Sequence, residues 1–295
     1  MKECFYEVNG IRLHVTESGP ADGPVLIFLH GYPEFWYGWR KQIPFFAEQG
    51  YRVAVPDQRG YNLSSKPAGT KAYRISQLTQ DIVELIAALG TEKVFLVGHD
   101  WGGAVAWNLA MHHPQLLHRL VIINMPHPVV MRKTLRRRLN QLRRSWYIFF
   151  FQLPLLPEWV ISRGRFRLMR NSLQRTSLPG TFREADLEQY VAAWSQPGAF
   201  RAMLNWYRAA VRHRNPAIAQ PPEVKTPLLL IWGARDAFLR TEMATQSLPY
   251  CRNGKLHLIP EATHWVHHEK SNEVNGAILD FFLRPAAQEQ DRQTG

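Results

Sequence analysis

An aspartate in a tight turn is the residue of this chain with the clearest chemical potential. Asp100 lies in the segment Gly98–Gly103 (GHDWGG), which follows the apolar run Val94–His99 and opens a helical pattern. A turn of this form forces its central residue into strained backbone geometry, so it needs small neighbours on both flanks. Gly98 and Gly102 meet that need. The strand–turn–helix context therefore predicts a nucleophile at Asp100; the plainer alternative is an aspartate that only caps the helix.

A carboxylate nucleophile restricts the substrates that such a site can attack. The carboxylate is ionised at neutral pH without the help of a base. Attack on an ester would give an anhydride, which is a poor intermediate, whereas attack on the saturated carbon of an epoxide or an alkyl halide gives an alkyl ester of the enzyme. Water can then cleave that ester at its carbonyl carbon. Asp100 therefore favours a two-step reaction at carbon over acyl transfer.

The second step needs a base that activates water, and two residues near the end of the chain fit that role. His264 follows the last predicted strand, and Asp236 follows the strand before it. The order nucleophile, acid, histidine is typical of hydrolytic triads on α/β sheets. We expect Asp236 to orient the imidazole and to stabilise its cation. Asn124, after the preceding strand, has no charge and cannot replace the acid. A loop aspartate and a packed histidine are the alternatives.

Hydrolysis of the ester would place negative charge on an oxygen of Asp100, and two preorganised N–H donors would stabilise it. The backbone of Trp101, at the start of the helix, is one predicted donor. The backbone of Tyr32, in the loop His30–Pro33 after an earlier strand, is the other. Pro33 is a candidate for a cis peptide in that loop.

Three further histidines lie near these residues in sequence. We assign no role to His99 and expect it to pack beside the turn that holds Asp100. His267 and His268 follow His264 closely, and we expect both of them on the surface.

Short apolar runs alternate with helical patterns, and this alternation indicates a doubly wound α/β fold with strands buried on both faces of a parallel sheet. From Pro128 to about Pro222 the chain instead becomes rich in Arg and aromatic residues, with a helical character. A helical block inserted between two strands predicts a cap over the carboxyl edge of the sheet, where ligands bind. We predict core at 1–128 and 223–284, the cap at 129–222 and a polar tail at 285–295. The predicted strands are Ile11–Thr16, Val25–His30, Arg52–Asp57, Val94–His99, Leu120–Met125, Leu228–Gly233 and Lys255–Pro260.

The charge of the chain is concentrated in this helical block. The 295 residues carry a formal net charge of +12, and the segment Arg132–Arg214 alone holds 17 Lys and Arg against 4 Asp and Glu. A solvated basic helix face is the plainer interpretation, and peripheral contact of the cap with an anionic membrane is the alternative. The chain lacks zinc-ligand spacing, an RNP-like segment and a P-loop, so we do not expect a nucleic-acid partner.

Other features of the sequence point to a cytoplasmic protein. Cys4 and Cys251 form neither a disulfide framework nor a metal-ligand spacing, and the N-terminus has no apolar signal region. The longest apolar stretch, Trp146–Ile161, is too short and too interrupted to span a bilayer. Nothing in the sequence calls for a metal or an organic cofactor, and the oligomeric state stays open.

The chain resembles the epoxide hydrolase branch of the α/β-hydrolase superfamily over nearly its whole length. The resemblance implies a mostly parallel eight-stranded sheet with an inserted cap, and conversion of an epoxide to a vicinal diol. It also implies two cap tyrosines, Tyr147 and Tyr207, that hold the epoxide oxygen; a phenol can donate a proton to the alkoxide that forms. The matching segments are HGYPEFWYGWR (30–40), DQRGYNLSSKP (57–67), GHDWGGAVAW (98–107), NMPHP (124–128), SWYIFFFQLP (145–154), NWYRA (205–209), WGARD (232–236) and THWVHHE (263–269).

Aromatic residues close to these segments predict an apolar slot for aryl or alkyl epoxides. We predict that Trp36, Phe149 and Trp206 contact the substrate. Ordinary packing of these side chains within the cap is the alternative for each of them.

Two other functions remain as alternatives. A haloalkane or haloacid dehalogenase would use the same Asp100, His264 and Asp236. Haloalkane dehalogenases usually have Asn at the position of Tyr32 or a second Trp, and the fluoroacetate group has Arg at the position of Trp101. An alternative of another class is a ligand-binding protein without catalytic activity. The absence of Asp100, Asp236 or His264 would have favoured this alternative, but all three are present.

Overall fold

A single mixed sheet organises the chain. The computed structural model describes residues 1–137, 146–213 and 221–284. The basic segment Arg132–Arg214 therefore lies partly outside the described residues, and the predicted tail 285–295 lies wholly outside them. The strands are β1 Lys2–Val8, β2 Ile11–Ser18, β3 Val25–Leu29, β4 Arg52–Pro56, β5 Val94–His99, β6 Leu117–Ile123, β7 Leu228–Gly233 and β8 Gly254–Ile259.

The order of the strands places two loops side by side at the carboxyl edge of the sheet. The order is β1-β2-β4-β3-β5-β6-β7-β8, with β2 antiparallel to β1 and β4 and the other neighbours parallel. The chain runs from β3 outward to β4 and then crosses back to β5, on the other side of β3. The loops after β3 and β5 therefore flank the point where the winding reverses, which is where open α/β sheets bind ligands. The predicted mostly parallel sheet of eight strands is confirmed.

The predicted strands were found within a few residues of their predicted bounds, but β1 was missed. It forms a hairpin with β2 through Asn9 and Gly10, whose φ angles are 47° and 70°. A two-residue turn of this kind needs positive φ at both positions, which Asn and Gly tolerate best.

Helices cover both faces of the sheet because alternate side chains of each central strand point to opposite sides. In β3, Leu26 and Phe28 belong to one core cluster, and Ile27 and Leu29 belong to the other. The helices of the described residues are α1 Gln42–Glu48, α2 Ile75–Ala88, α3 Trp101–His112, α4 Pro128–Arg137, α5 Trp146–Phe150, α6 Leu156–Thr176, α7 Glu184–Trp194, α8 Ala199–Arg212, α9 Glu242–Ser247, α10 Val266–Glu269 and α11 Ser271–Leu283. The first cluster includes side chains from α1 and α11, and the second includes side chains from α2 and α3.

Five helices, α4 to α8, occupy the described residues between β6 and β7. We call them the helical insertion. Within it, α6 is broken at Arg163–Phe166, where the backbone leaves the right-handed helical region. The boundaries of the cap at residues 129 and 222 stay a prediction. In the parts of the chain that the structure describes, no helix combines the length and the apolar character that crossing a bilayer requires.

Candidate active site

Asp100 occupies a sharp turn between β5 and α3, as the sequence predicts. Its φ of 48° and ψ of −121° are unusual for a residue with a side chain. The neighbouring glycines make this turn possible. A Cβ at Gly102 would lie 2.2 Å from the carbonyl oxygen of Leu29, and a Cβ at Gly31 would lie 2.4 Å from the Cβ of Asp100. The turn thus presents the carboxylate at the carboxyl edge of the sheet, against the loop after β3.

That loop supplies a hydrogen-bond donor to the carboxylate. The backbone N–H of Tyr32 donates to Oδ2 of Asp100 over 2.9 Å, and the Tyr32–Pro33 peptide is cis. Trp101 is the first residue of α3, so its N–H has no acceptor within the helix. Its donation to the carboxylate stays a prediction.

His264 lies between two carboxylates. Its Nδ1 is 2.7 Å from Oδ2 of Asp236, and its Nε2 is 3.8 Å from Oδ1 of Asp100. Burial alone would lower the pKa of His264, but the charge and hydrogen bond of Asp236, with the charge of Asp100, outweigh burial and raise the pKa to about 9. Burial acts to raise the pKa of Asp236, and the charge of His264 with several hydrogen bonds lowers it overall. In this arrangement His264 carries a proton at neutral pH while Asp236 is ionised.

Asp236 is held by donors on three sides. The backbone N–H groups of Phe238 and Leu239 donate to its Oδ1 over 2.7 and 2.9 Å. The amide of Asn124 donates to its Oδ2 over 2.6 Å, and the same amide accepts from the N–H of Gly233 over 3.0 Å. Asn124 cannot act as the acid itself, but it fixes the acid in place. No local pattern around Asn124 predicts this role.

Tyr147 from α5 and Tyr207 from α8 come together above the carboxylate. Their ring centroids are 5.8 Å apart, and the ring of Tyr207 is 5.1 Å from that of Tyr32 and 5.1 Å from that of Trp101. Burial, reinforced by the charge of Asp100, raises the pKa of both phenols well above the usual value, so both stay protonated. Among the described residues, neither hydroxyl has a hydrogen-bond partner.

A cavity of about 1670 Å³ joins these groups. Side chains from the sheet edge and from the helical insertion line it, and most of them are apolar. Asp100, His264, Tyr147 and Tyr207 all face this cavity. The geometry can therefore bring an apolar molecule into contact with the carboxyl group of Asp100 on one side and two phenols on the other.

Of the three side chains predicted to contact substrate, only Trp206 lines the cavity. Trp36 was assigned wrongly: its backbone N–H donates to Asp57 over 3.0 Å, and its ring packs against Phe35 and the core instead. Phe149 was also assigned wrongly, since it is 59% exposed. Tyr147 and Phe151 face inward one helical turn apart, which directs Phe149 to the opposite side of the helix.

A buried polar cluster lies directly behind His264. The carboxylate of Glu34 accepts from the hydroxyl of Tyr190 over 2.9 Å and from Nε2 of His268 over 2.6 Å. Its other oxygen is 3.2 Å from Nδ1 of His99, whose Nε2 donates to the backbone oxygen of His264 over 3.0 Å. Burial acts to raise the pKa of Glu34, but the neighbouring His268 and His267 lower it well below the usual value. This cluster therefore links the loop after β3 to the loop that carries His264.

The prediction that His267 and His268 lie on the surface is wrong, because both are buried. His267 Nε2 is 3.4 Å from Glu34, at the long end for a hydrogen bond. Glu34, His99 and His267 are close enough to share one metal ion. The hydrogen bonds of Glu34 and His99 already account for their polar atoms, so we interpret the group as a structural network.

Known proteins resemble this chain over almost its entire length. A family model described as the alpha/beta hydrolase fold matches residues 24–271. "AB hydrolase superfamily protein YfhM" of Bacillus subtilis (strain 168) is 45% identical over 278 residues, which cover 94% of this chain and 96% of that protein. "Epoxide hydrolase 4" of Mus musculus is 37% identical over 291 residues, covering 94% of this chain and 79% of that protein.

A solved structure extends the similarity to three dimensions. The epoxide hydrolase of Bacillus megaterium in complex with an inhibitor superposes with a TM-score of 0.86 at 30% sequence identity, covering 95% of this chain and 100% of that one. Sequence and structural similarity agree on the same group of proteins. The chain therefore belongs to the α/β-hydrolase fold family and, within it, to the epoxide hydrolase group.

Proposed function

We propose that the protein is an epoxide hydrolase that converts an apolar epoxide into a vicinal diol through an alkyl ester of Asp100. The observation that carries the proposal is the pair of protonated phenols, Tyr147 and Tyr207, that line the same cavity as the carboxylate. The relatives named as epoxide hydrolases support the substrate class.

In the first step, one oxygen of Asp100 attacks a ring carbon of the epoxide. The carbon–oxygen bond of the ring breaks, and the electron pair moves to the epoxide oxygen. Tyr147 and Tyr207 donate hydrogen bonds to that oxygen as its charge grows, and one of them transfers its proton. The products of this step are a β-hydroxyalkyl ester of Asp100 and a tyrosinate, which regains its proton later in the cycle.

In the second step, water attacks the carbonyl carbon of the ester. Ester formation removes the negative charge of Asp100, which is one of the charges that raise the pKa of His264. We therefore expect the pKa of His264 to fall at this point, so that the imidazole can give up its proton, which restores the tyrosinate to a phenol, and can then act as the base. His264 takes one proton from the attacking water, and the N–H groups of Tyr32 and Trp101 stabilise the oxyanion. The bond between the carbonyl carbon and the alkyl oxygen then breaks, the leaving alkoxide takes the remaining proton of that water, and the diol leaves as the carboxylate re-forms.

The phenols distinguish an epoxide from a halide as the substrate. An alkoxide leaving group needs a proton, whereas a halide leaves without one, so two buried phenols would have little purpose in a dehalogenase. Hydrolysis of a halide would instead require N–H donors aimed at the departing ion.

The proposal is tested by product analysis with styrene oxide and with a matched set of bromo- and chloroalkanes. We expect the wild-type protein to release phenylethanediol, and Asp100→Asn to release none. Halide release without diol formation would replace the proposal by the dehalogenase function. Failure of a panel of aryl and alkyl epoxides, together with the haloalkanes, would favour a silent binding protein.

A further inference from the structure

The helical insertion exposes an unusual concentration of large apolar side chains. Six of them lie within the 14 residues from Trp146 to Trp159, and each exposes between 43% and 64% of its surface. Isolated exposed apolar residues are ordinary on proteins, but a contiguous patch usually marks a surface that binds a partner or a membrane. We call these six residues the interfacial patch: Trp146, Phe149, Leu153, Leu155, Leu156 and Trp159.

The patch lies within a segment that is almost free of acidic residues. Between Pro128 and Arg183 the sequence has 13 Lys and Arg and a single acidic residue, Glu158. The carboxylate of Glu158 is bound by Arg208 over 2.7 Å, and Arg201 lies 3.7 Å away, so its charge is compensated within the protein. Arg165 and Arg170 pair with Glu188 and Glu184, but no carboxylate of the described residues lies within ion-pair distance of Arg163 or Arg167. These two arginines therefore leave positive charge beside the patch.

Arginine and tryptophan meet directly at one end of the patch. The guanidinium of Arg163 lies 3.4 Å from the centroid of the Trp159 ring. Arg167 lies four residues further along the chain, just past the break in α6, and is also exposed. Side chains of this kind bury their apolar parts at the boundary of a bilayer and keep their charges among the headgroups.

The patch is continuous with the mouth of the cavity. Trp146 belongs to the patch and also lines the cavity. Leu168 and Val211 likewise line the cavity while exposing 51% and 55% of their surfaces. Any partner or membrane that binds the interfacial patch would therefore lie against the entrance of the cavity.

From these observations we infer that the interfacial patch, with the arginines beside it, docks the protein on the surface of an anionic lipid bilayer. The leucines of the patch can insert among acyl chains. Nucleic acid is bound through its phosphates and by stacking of its bases on aromatic rings, and leucines serve neither purpose. A second copy of this chain would bring the same basic segment against itself and would be opposed by like charge. Docking of this kind is independent of the proposed reaction and can be measured without turnover.

The test measures binding of the full-length protein to vesicles of phosphatidylcholine with increasing shares of phosphatidylglycerol. We expect little binding to pure phosphatidylcholine, and a bound fraction that rises with the anionic lipid and falls with added salt. In the double variant Phe149→Ser/Leu155→Ser the partition coefficient should fall on the order of tenfold or more, since two exposed apolar groups no longer enter the interface. Arg163→Gln/Arg167→Gln should lower it by a similar factor and weaken its dependence on salt.

Matched controls remove the same side-chain types elsewhere. Leu63→Ser/Leu283→Ser takes away two exposed apolar residues outside the insertion, and Lys93→Gln/Lys225→Gln takes away two exposed charges. Both controls should bind vesicles like the wild type. Binding that is equally lost in controls and patch variants, or that is absent at every lipid composition, overturns the inference. Concentration-dependent dimerisation that only the patch variants abolish would instead assign the patch to a second copy of the chain.

Discussion

The phenols of Tyr147 and Tyr207 have the same chemical property at the scale of single residues: burial raises the pKa of both, so each can donate a proton at neutral pH. Replacement of either tyrosine by Phe should lower the rate of ester formation about 10²-fold, because one of two donors to the forming alkoxide is lost. Rapid-mixing experiments that follow tryptophan fluorescence during a single turnover would measure this rate.

Tyr73 offers a control for that experiment. It lines the same cavity, but its hydroxyl donates to the backbone oxygen of Pro67 over 2.8 Å. Tyr73→Phe should therefore leave the rate of ester formation close to that of the wild type. Equal losses in Tyr73→Phe and Tyr147→Phe would show that the phenols act through packing and not through proton donation.

His264 should make the stability of the protein depend on pH. Its pKa is raised to about 9 in the folded state, against an ordinary value of about 6.5 in the unfolded chain. Between these values the folded state binds more protons than the unfolded state, so the free energy of unfolding should fall as pH rises from about 6.5 to about 9. One group contributes a slope of at most about 1.4 kcal/mol per pH unit.

Urea unfolding at several pH values would measure this slope in the wild type and in His264→Gln. The variant cannot bind the proton, so its slope in the same window should be smaller. Identical slopes in the two proteins would mean that His264 does not carry the raised pKa.

The nucleophile, the acid and the base could be predicted because the local sequence around each one indicates its role. Asp100 has glycines on both flanks, and Asp236 and His264 each follow an apolar run. The supporting residues have no such local signal. Asn124 is 112 residues from Asp236, and the contact between Glu34 and His268 spans 234 residues, so only the folded chain brings them together.

At the scale of elements, Arg208 ties α8 to α6 through an ion pair and to the residues just after α5 through backbone hydrogen bonds, and so controls the distance between the two phenols. Arg208, next to Tyr207, binds Glu158 at both carboxylate oxygens, over 2.7 and 2.9 Å. Its guanidinium also donates to the backbone oxygens of Phe151 and Leu153, each over 2.8 Å, just beyond α5. The pair is largely buried, with side-chain exposures of 7% and 15%.

Arg208→Gln should lower the free energy of unfolding by about 3 kcal/mol, because it leaves a buried carboxylate and two carbonyl groups without a partner. It should also lower turnover, since Tyr147 loses its fixed position relative to Tyr207. Chemical denaturation and steady-state diol formation would measure the two effects.

Arg201→Gln is the matched variant, because Arg201 lies 3.7 Å from the same Glu158 but is 62% exposed. An exposed pair contributes at most about 1 kcal/mol. Similar losses in both variants would contradict the role given to the buried pair.

The sequence does not determine which side of a short helix faces the interior. The run of aromatic residues in α5 indicates a contact with substrate, but five residues do not fix which side of the helix faces inward. Tyr147 and Phe151 take the inward positions, and Phe149 faces solvent. Likewise His267 and His268 lie in α10, a four-residue helix whose burial depends on a distant loop.

At the scale of the whole molecule, the α/β alternation along the chain was sufficient to predict the sheet, because parallel strands need helical crossovers and right-handed connections leave few topologies. It could not predict the size of the cavity, which depends on how helices that are far apart in the sequence pack over the sheet. The cavity of about 1670 Å³ is far larger than styrene oxide requires.

This volume predicts a preference for long substrates. Along a series of terminal epoxyalkanes, kcat/KM should rise by up to about fourfold for each added methylene until the chain reaches the mouth, since each buried methylene contributes about 0.8 kcal/mol. Competition assays between neighbouring members of the series would measure the ratio. A flat profile would mean that the outer part of the cavity is not used by substrate.

The proposed reaction depends on the alkyl ester of Asp100, and His264→Gln should allow this ester to accumulate. The variant is incubated briefly with styrene oxide and digested. The mass of the peptide that contains Asp100 is then measured by mass spectrometry and compared with that of the wild type. We expect this peptide to gain the mass of one substrate in the variant, while the wild type releases diol and stays unmodified. The double variant Asp100→Asn/His264→Gln should gain nothing. A folded His264→Gln protein that forms diol without a label, or that carries the label on another residue, would contradict the covalent mechanism.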